Sequence, residues 1–372
     1  MRIGIDAKWF FNGPPSGRHV VRSLVQNIIA VNSEHEIHVF LDKKDSNSQF
    51  PFGGTKVKRI YLWANINLIS NLFIIPYLIK KYKIDCFIAQ NFSPLLGSKC
   101  RISFIHDIIF ESHPEFFTLR ERIYFKPMKF LAKHSNFIFT VSESEKKRLI
   151  QYGYNAQDKI KVIHNGVDTH KFKVIGKQEK EQINKVKEIY HLPEKYILYV
   201  GRINFRKNLI KLVEAIDKIT EKEIKLVLAG KKDWKNENIE EIIDNFSLKD
   251  RIVMIGYVEE EFLPIIYSLA KLLCYVSYEE GFGLPPLEAM ASGLPVVVSD
   301  IEVVKEVCGD AGNYVNPFES KSIADMINKL LEDDNLYNRK KNLGLKRANL
   351  FSWESSTKKI MHFVEEHCSN NT

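Results

Sequence analysis

Two glutamates in the stretch EEGFGLPPLEAMASG are the residues best suited to chemistry in this sequence. Glu280 and Glu288 are separated by seven residues and flank a loop rich in glycine and proline. Pro285 and Pro286 predict the first turn of a helix running to about Ala291. A helix N-terminus suits a phosphate. The carboxylates can accept hydrogen bonds from sugar or ribose hydroxyls without changing their own protonation state. The competing interpretation is a capped helix with an exposed glutamate.

A basic motif, VGRINFRKN, directly follows the predicted strand Tyr196–Val200. Gly201 allows a tight turn at the carboxyl edge of the sheet, where ligands of open α/β sheets bind. Arg202 and Lys207 then offer a planar fork and a point charge to a diphosphate, with Arg206 as an alternative donor. The simpler interpretation is a turn with solvated basic residues.

His106 and Asp107 end another predicted strand, Arg101–Ile105, at the edge where catalytic groups are expected. A single histidine at a strand end is more often a hydrogen-bonded structural residue. His106 is therefore a candidate catalytic residue with a structural alternative, and His113, His134 and His164 have less support.

Alternation of β-branched runs with helical periodicity indicates how these motifs are positioned. The pattern predicts an α/β protein with two doubly wound, Rossmann-like domains. The predicted domains are residues 1–173, completed by the C-terminal helix 353–372, and residues 174–352. The predicted strands of the first half are Arg2–Ile5, Glu36–Leu41, Lys56–Leu62, Asp85–Ala89, Arg101–Ile105, Phe137–Val141 and Lys161–Ile163. Those of the second half are Tyr196–Val200, Lys225–Ala229, Arg251–Ile255, Leu272–Val276 and Pro295–Ser299. The clearest helices are Arg18–Val31, Leu209–Ile219, Phe262–Ala270, Ile323–Leu331 and Trp353–Glu366, the last expected across the domain junction.

Composition places the chain among ordinary globular proteins, and its charge is unevenly divided. Of the 372 residues, 45% are hydrophobic and 27% charged, which excludes disordered and collagen-like classes. Residues 1–173 hold 26 Lys and Arg against 14 Asp and Glu, a net charge of +12, and the remainder holds 28 against 32, a net charge of −4. The asymmetry suggests an anionic partner for the first half, or simply a solvated, lysine-rich surface.

Targeting and redox patterns are weak. The apolar stretch Ile66–Ile79 is interrupted and too short for a bilayer, so buried core is expected. Asp6 lies where a secretory peptide has its apolar run, which favours a cytoplasmic location. The five cysteines are widely spaced without a CxxC pair, and free buried thiols are expected.

VGRINFRKN together with EEGFGLPPLEAMASGLPVVVSD closely resembles the retaining nucleotide-sugar glycosyltransferases of family 4. Weaker similarities run through most of the chain, in IGIDAKWFFNGPPSG, SFIHDIIFESHPE, TVSESEKKRL, VIHNGVD, IGYVEEEFLPIIYSLA and EVCGDAGNYVNP. The resemblance implies the GT-B architecture, two domains facing a central cleft. The donor is then held mainly by the C-terminal domain and the acceptor by the N-terminal domain.

The resemblance also assigns roles to individual residues. Arg202 and Lys207 bind the donor diphosphate, and Glu288 binds the ribose hydroxyls. Glu280 holds the transferred sugar and, with His106 and Asp107, forms the candidate catalytic set. The remaining donor-binding candidates are Gly17, Tyr257, Phe282, Gly283 and Leu284. Family members commonly place two glycines around a small residue before the first long helix, whereas this chain has Ser16–Gly17–Arg18; Arg18 could contact phosphate or obstruct the site.

The expected activity is retaining, metal-independent hexosyl transfer, since no DxD triplet is present, and no cofactor is expected beyond the donor substrate. GDP-mannose is the favoured donor, from similarity to bacterial mannosyltransferases of surface polysaccharide or glycoconjugate synthesis. A covalent glycosyl-enzyme and attack on the face of the departing diphosphate are both open as routes to retention. A related-fold epimerase or phosphorylase and a basic nucleic-acid-binding protein are the alternatives, but no pyridoxal lysine or nucleic-acid motif is identified.

The acceptor is expected to be a glycan, lipid-linked at the inner face of a membrane. Residues 120–133, RERIYFKPMKFLAK, interleave basic and aromatic or aliphatic side chains, as in segments that bind anionic membranes. Pro127 predicts a kinked or broken element. Packing of these aromatic residues in the core is the competing interpretation.

Overall fold

A computed structural model describes the protein over residues 1–52, 54, 56–63, 69–176, 179–232 and 239–368. The chain forms two compact units. Unit 1 comprises Met1–Pro114, Leu119–Gly166 and the C-terminal segment from Trp353; unit 2 comprises Glu115–Thr118 and Val167–Ser352. The predicted boundary at Lys173 therefore lies inside unit 2. Residues 66–68 of the predicted apolar stretch and 369–372 of the predicted C-terminal segment lie outside the described residues.

Unit 1 is built on a seven-stranded parallel sheet with the order β3-β2-β1-β4-β5-β6-β7. Its strands are β1 (Arg2–Asp6), β2 (Glu36–Asp42), β3 (Val57–Leu62), β4 (Cys86–Gln90), β5 (Cys100–Ile105), β6 (Phe137–Thr140) and β7 (Ile160–Val162). β4 is buried along its whole length. Such continuous apolar strands need helices on both faces, which fits the predicted βαβ rhythm.

The helices of unit 1 are α1 (Pro15–Val31), α2 (Ile75–Tyr82), α3 (Ile109–Ser112), α4 (Leu119–Phe125), α5 (Pro127–Lys133), α6 (Glu143–Gln151) and, from the end of the chain, α15 (Trp353–Cys368). α1 buries the predicted stripe that includes Val21, Leu24 and Val25. α15 packs against α1 and buries Ile360 and Val364. The chain's last described helix thus completes the apolar layer over the first sheet.

Unit 2 contains a six-stranded parallel sheet with the order β10-β9-β8-β11-β12-β13. Its strands are β8 (Tyr196–Val200), β9 (Lys225–Ala229), β10 (Ile252–Gly256), β11 (Leu272–Tyr275), β12 (Val296–Ser299) and β13 (Gly312–Val315). The sequence predicted all of these except β13. That strand begins with Gly312 and Asn313, which are poor strand formers, and it forms because it pairs with β12.

The helices of unit 2 are α7 (Lys180–Tyr190), α8 (Leu209–Lys218), α9 (Ile239–Asn245), α10 (Leu263–Leu269), α11 (Leu284–Ala291), α12 (Glu302–Cys308), α13 (Ser320–Glu332) and α14 (Asp334–Ala348). Both sheets reverse their strand order once, between β1 and β4 and between β8 and β11. At such a point successive connections leave on opposite faces, which opens a crevice at the carboxyl ends of the strands. The prediction of two doubly wound α/β units is confirmed.

Some sequence expectations change with the three-dimensional structure. Cys100 and Cys368 form a disulfide across 268 residues, which corrects the expectation of five free thiols. The two cysteines meet because α15 returns to the first sheet. The predicted break at Pro127 is confirmed, since α4 ends at Phe125 and α5 begins at the proline. In the apolar stretch, Ile75 is buried, whereas Phe73 is 68% exposed, so buried core describes only part of it.

A search of the described part of the chain finds no helix with the length and hydropathy needed to span a membrane.

A buried carboxylate holds the turn that follows His106 and Asp107. α6 begins after Ser142, whose hydroxyl accepts a hydrogen bond from the Glu145 amide at 3.0 Å. The Glu145 side chain accepts from the Ile108 amide at 2.7 Å and pairs with Arg148 at 2.6 Å. The TVSESEKKRL segment therefore fixes the backbone just beyond the end of β5.

Removing this carboxylate should destabilise unit 1. We expect Glu145→Ala to lower the free energy of unfolding by about 3–5 kcal/mol, because it removes the buried carboxylate that binds both Arg148 and the Ile108 amide. The exposed Glu143→Ala on the same helix should cost less than about 1 kcal/mol. Urea unfolding of both variants measures the difference, and equal effects would contradict this role for Glu145.

Candidate active site

The turn after β8 is shaped by a glycine and a tyrosine. Gly201 has a φ of +153°, and a Cβ at this position would lie 2.8 Å from the Tyr199 hydroxyl oxygen. Tyr199 donates a hydrogen bond to the Arg202 carbonyl at 2.7 Å. A larger residue at 201 would meet strain and a clash together. The turn leaves Arg202 exposed at the carboxyl edge of the second sheet.

Glu280 bridges two cations that come from this turn. Its Oε1 lies 2.6 Å from Lys207 Nζ, and its Oε2 lies 2.9 Å from Arg206 Nη1. Lys207 Nζ also donates to the Tyr275 hydroxyl at 2.6 Å. Glu280 is 6% exposed and Lys207 7% exposed. Arg206, which the sequence offered only as an alternative to Arg202, is thus the arginine that pairs with Glu280.

Burial and neighbouring charges shift the pKa values of Glu280 and Lys207 in opposite directions. Burial alone would raise the pKa of Glu280, but Arg206 and Lys207 lower it to about 2. Burial lowers the pKa of Lys207 to about 8, although Glu280 opposes the shift. At neutral pH the glutamate is therefore ionised and the lysine remains charged, within reach of deprotonation above about pH 8.

The second glutamate sits on α11, which begins after Gly283, as predicted from the two prolines. In the loop before α11, Gly283 has a positive φ of +105°, whereas Gly281 does not have a positive φ. Phe282 is buried and contacts Phe351, which anchors the loop. Glu288 is 7% exposed and accepts a hydrogen bond from the Tyr267 hydroxyl at 2.9 Å.

Buried tyrosines connect the two glutamates. Burial raises the pKa of Tyr267 most, and the neighbouring Glu288 raises it further. Tyr275 also lies close enough to contribute to the same shift. Tyr275 bonds Lys207 and Tyr267 bonds Glu288, so Glu280 and Glu288 belong to one buried polar region. Tyr199, Tyr267 and Tyr275 are not predicted by the sequence motifs. The only signal was a tyrosine inside otherwise aliphatic strands or helices, which is too common to select them.

Two other donor candidates flank this region in unit 2. Tyr257 follows β10 and lies under Lys231, whose Nζ is 4.9 Å from the ring centroid. Leu284 is the first residue of α11. The structure therefore brings the predicted residues Arg202, Lys207, Tyr257, Glu280, Phe282, Gly283, Leu284 and Glu288 into the loops at the carboxyl edge of the second sheet or the helix that follows them.

The remaining candidates belong to unit 1. His106 Nε2 lies 2.7 Å from Gln90 Oε1, and burial lowers the pKa of His106 to about 4, so the imidazole is neutral at pH 7. Asp107 Oδ1 accepts from the Ile109 amide at 3.4 Å. Gly17 lies in the first turn of α1, where a Cβ would be 2.9 Å from the Trp9 ring. Gly17 is thus required by close packing whatever else it binds.

Candidate metal ligands form one cluster among the described residues. Among the described side chains, the only cluster with metal-ligand spacing is Cys86, Cys100 and Cys368, away from both glutamates in sequence. Cys100 and Cys368 are bonded to each other, which leaves one thiol. The cations around Glu280 already supply positive charge for an anionic ligand.

Comparison with known proteins identifies the class to which this architecture belongs. The family model for glycosyl transferases group 1 matches residues 169–347, and that for Glycosyltransferase Family 4 matches residues 18–171. Sucrose-phosphate synthase from Thermosynechococcus elongatus is similar in structure, with a TM-score of 0.79 at 20% identity over 98% of both chains. The fold is that of GT-B glycosyltransferases.

Among curated relatives, the O-antigen chain mannosyltransferase B of Escherichia coli is 36% identical over 44% of this chain and 43% of its own length. The O-antigen chain mannosyltransferase RfbU of Salmonella typhimurium is 32% identical over 59% of this chain and 57% of its own. The chain therefore spans about half the length of these relatives. With the two models covering both halves, the chain belongs to the family 4 and group 1 glycosyltransferases.

Proposed function

We propose that the protein is a retaining, metal-independent glycosyltransferase that moves a hexose from a nucleotide diphosphate sugar to a glycan acceptor in bacterial surface polysaccharide synthesis. GDP-mannose is the proposed donor, because the O-antigen relatives are mannosyltransferases. The observation that carries the proposal is the bridge from Glu280 to Lys207 and Arg206. It places two cations at the same edge of the sheet as the N-terminus of α11.

Each part of this site has a role in the proposal. Arg202 and Lys207 bind the diphosphate, and the N-terminus of α11 adds its positive dipole end and the N–H of Leu284, since Pro285 and Pro286 have no N–H. Glu288, oriented by Tyr267, accepts from the ribose hydroxyls. Glu280 holds the transferred sugar, together with the backbone around Gly283. Tyr257 lies beside the base.

The charge state of Glu280 favours one route to retention. A carboxylate bound to two cations, with a pKa lowered to about 2, has its electron pairs engaged and is a weak nucleophile. We therefore favour attack by the acceptor hydroxyl on the face from which the diphosphate departs. A phosphate oxygen takes the hydroxyl proton, while Lys207 and Arg202 stabilise the charge that develops on the leaving diphosphate.

The proposal is tested by a donor screen. Purified protein is incubated with GDP-, UDP-, dTDP- and ADP-hexoses, with and without EDTA, and both donor hydrolysis and thermal protection are measured. Hydrolysis and protection by GDP-mannose that survive EDTA support the donor and the metal independence. Preference for another nucleotide would change the donor, and protection by none would overturn the transferase function.

Nucleotide affinity should depend on pH through Lys207. Its ammonium is the form that attracts diphosphate, so GDP affinity should be greatest below pH 8 and fall as pH rises above that value. Lys207→Ala should weaken GDP binding by about 1.5–3 kcal/mol at pH 7 and remove this pH dependence. Arg202→Ala should weaken binding and keep the dependence. Calorimetric titration with GDP between pH 7 and 9.5 measures the affinity of the wild-type protein and of both variants. Unchanged affinity in both variants would refute the assignment of these residues to the diphosphate.

Glu280→Gln tests the role of the bridging carboxylate. The substitution keeps the shape and removes the negative charge, which also lowers the pKa of Lys207 further. At pH 6, where more of the lysine is charged, turnover should therefore fall more than GDP affinity, which depends on the cations. The exposed Glu332→Gln in the same unit is the matched control and should leave turnover nearly unchanged. An equal loss of GDP affinity in Glu280→Gln would place this glutamate on the nucleotide and not on the sugar.

The proposed acceptor is lipid-linked, and the protein acts at the cytoplasmic face of an anionic membrane. α4 and α5 expose Leu119, Ile123, Tyr124 and Phe130, between 43% and 69% of each side chain. Met128 and Leu131 are buried on the other side of α5, so packing in the core describes that side of the segment. Lys126 and Lys133 are exposed beside these apolar residues. The mixture suits a leaflet of anionic headgroups.

Charge reversal on this surface should prevent membrane binding. Each basic residue near an anionic leaflet contributes about 1 kcal/mol, so Lys126→Glu, Lys129→Glu and Lys133→Glu together should abolish flotation with phosphatidylglycerol vesicles at low salt. The same reversal at the exposed Lys195, Lys271 and Lys346 of unit 2 is the control. If the wild-type protein does not float at low salt and uses water-soluble glycans equally well, the membrane proposal fails while the transferase proposal stands.

A further inference from the structure

We infer that a small polar cavity at the carboxyl ends of β1 and β4 binds one neutral hydroxyl group of the acceptor sugar. The cavity is lined by Asp6, Lys8, Trp9, Gln90 and Phe92. The inference rests on the proposed function, since it supplies the acceptor side of that reaction. It concerns residues of unit 1 that the sequence analysis did not select.

The cavity lies where the first sheet reverses its strand order. Asp6 is the last residue of β1, and Gln90 is the last residue of β4. The two strands are neighbours in the sheet, but the chain continues from β1 to β2 on one side and from β4 to β5 on the other. In unit 2 the corresponding reversal, between β8 and β11, carries Lys207 and Glu280. Ligands of open α/β sheets bind at this position, so the cavity occupies a place suited to binding.

Gln90 presents a hydrogen-bond donor that the described residues do not satisfy. The residue is 7% exposed, and its Oε1 is engaged by His106 Nε2 at 2.7 Å. Its Nε2 is buried and has no hydrogen-bond partner among the residues that the structure describes. Buried amide groups are almost always hydrogen-bonded in folded proteins, so this one calls for an acceptor oxygen from outside.

Lys8 supplies a second donor. Its Nζ lies 3.1 Å from Asp6 Oδ2 and 3.2 Å from Asn71 Oδ1. An ammonium group has three N–H donors, and this ion pair and this hydrogen bond with described residues use at most two of them. The third remains for a ligand oxygen. Gln90 and Lys8 together can therefore donate to the lone pairs of one hydroxyl.

The net charge of the lining favours a neutral ligand. The Asp6 carboxylate and the Lys8 ammonium compensate each other at 3.1 Å. Burial lowers the pKa of the adjacent His106 to about 4, so this side chain adds no positive charge at pH 7. A phosphate would lack compensating charge here, whereas a sugar hydroxyl needs only hydrogen bonds.

The size of the cavity limits what enters. It encloses about 240 Å³ including its open mouth, but its interior has room for about one water molecule. A hydroxyl group fits this interior, and the rest of a sugar ring stays at the mouth. The apolar rings of Trp9 and Phe92 line the same cavity and suit the C–H face of a pyranose.

The test uses methyl α-D-mannopyranoside as a neutral probe and mannose 6-phosphate as an anionic one, both with saturating GDP. Binding is measured by saturation-transfer NMR for the wild-type protein, for Gln90→Met, which keeps chain length and removes the amide, and for Gln26→Met. Gln26 is exposed on α1 of the same unit and is the matched control. GDP affinity is measured separately by calorimetry.

We expect the wild-type protein and Gln26→Met to bind the neutral probe equally and Gln90→Met to bind it at least about fivefold more weakly, because a buried hydrogen bond is lost. Each monodeoxy derivative of the methyl mannoside is also tested. The derivative that lacks the hydroxyl bound in the cavity should bind weakly to the wild-type protein and no more weakly to Gln90→Met. Unchanged probe binding in a folded Gln90→Met, or tighter binding of mannose 6-phosphate, would overturn the inference. Absence of GDP binding in the wild-type protein would instead change the proposed donor, and absence of binding to any of the nucleotides in the donor screen would refute the proposed function.

Discussion

The arrangement of unit 2 depends on the cost of burying charge. Lys207 is buried and Arg206 is partly buried at the edge of the second sheet, and the Glu280 carboxylate between them offsets much of the cost of removing their charges from water. The bridge fixes the turn after β8 against the loop after β11. It also keeps positive charge at a place where water is partly excluded and electrostatic interactions are strong. In the proposed function, one of these cations, Lys207, also binds the diphosphate.

Hydrogen-bonded tyrosines carry this constraint into the surrounding fold. Tyr199 holds the Arg202 carbonyl, Tyr275 holds Lys207, and Tyr267 holds Glu288. All three are buried in strands or helices, so each hydroxyl is placed by rigid secondary structure. A side chain oriented in this way needs little rearrangement when a ligand arrives, which is the basis of electrostatic preorganisation.

The two units use the same position for different chemistry. Each sheet reverses its strand order once, and each reversal carries buried polar residues. In unit 2, Arg206 and Lys207 lie against Glu280 beside a helix N-terminus, an arrangement that suits an anionic diphosphate. In unit 1, Asp6 and Lys8 compensate each other and Gln90 adds an amide, which suits a neutral hydroxyl. The fold supplies the location, and the local side chains decide the ligand.

The sequence by itself determined the fold class, the positions of nearly all strands and the two candidate glutamates, Glu280 and Glu288. These follow from local information: hydrophobic periodicity, glycine and proline at turns, and motifs confined to a few residues. Only the tertiary structure decided that Arg206 is the partner of Glu280, that Tyr267 orients Glu288 and that Cys100 meets Cys368. β13 likewise forms through pairing and not through its own residues. Such contacts join residues from 21 to 268 positions apart, and no local pattern encodes which distant side chains the packing of helices on a sheet brings together.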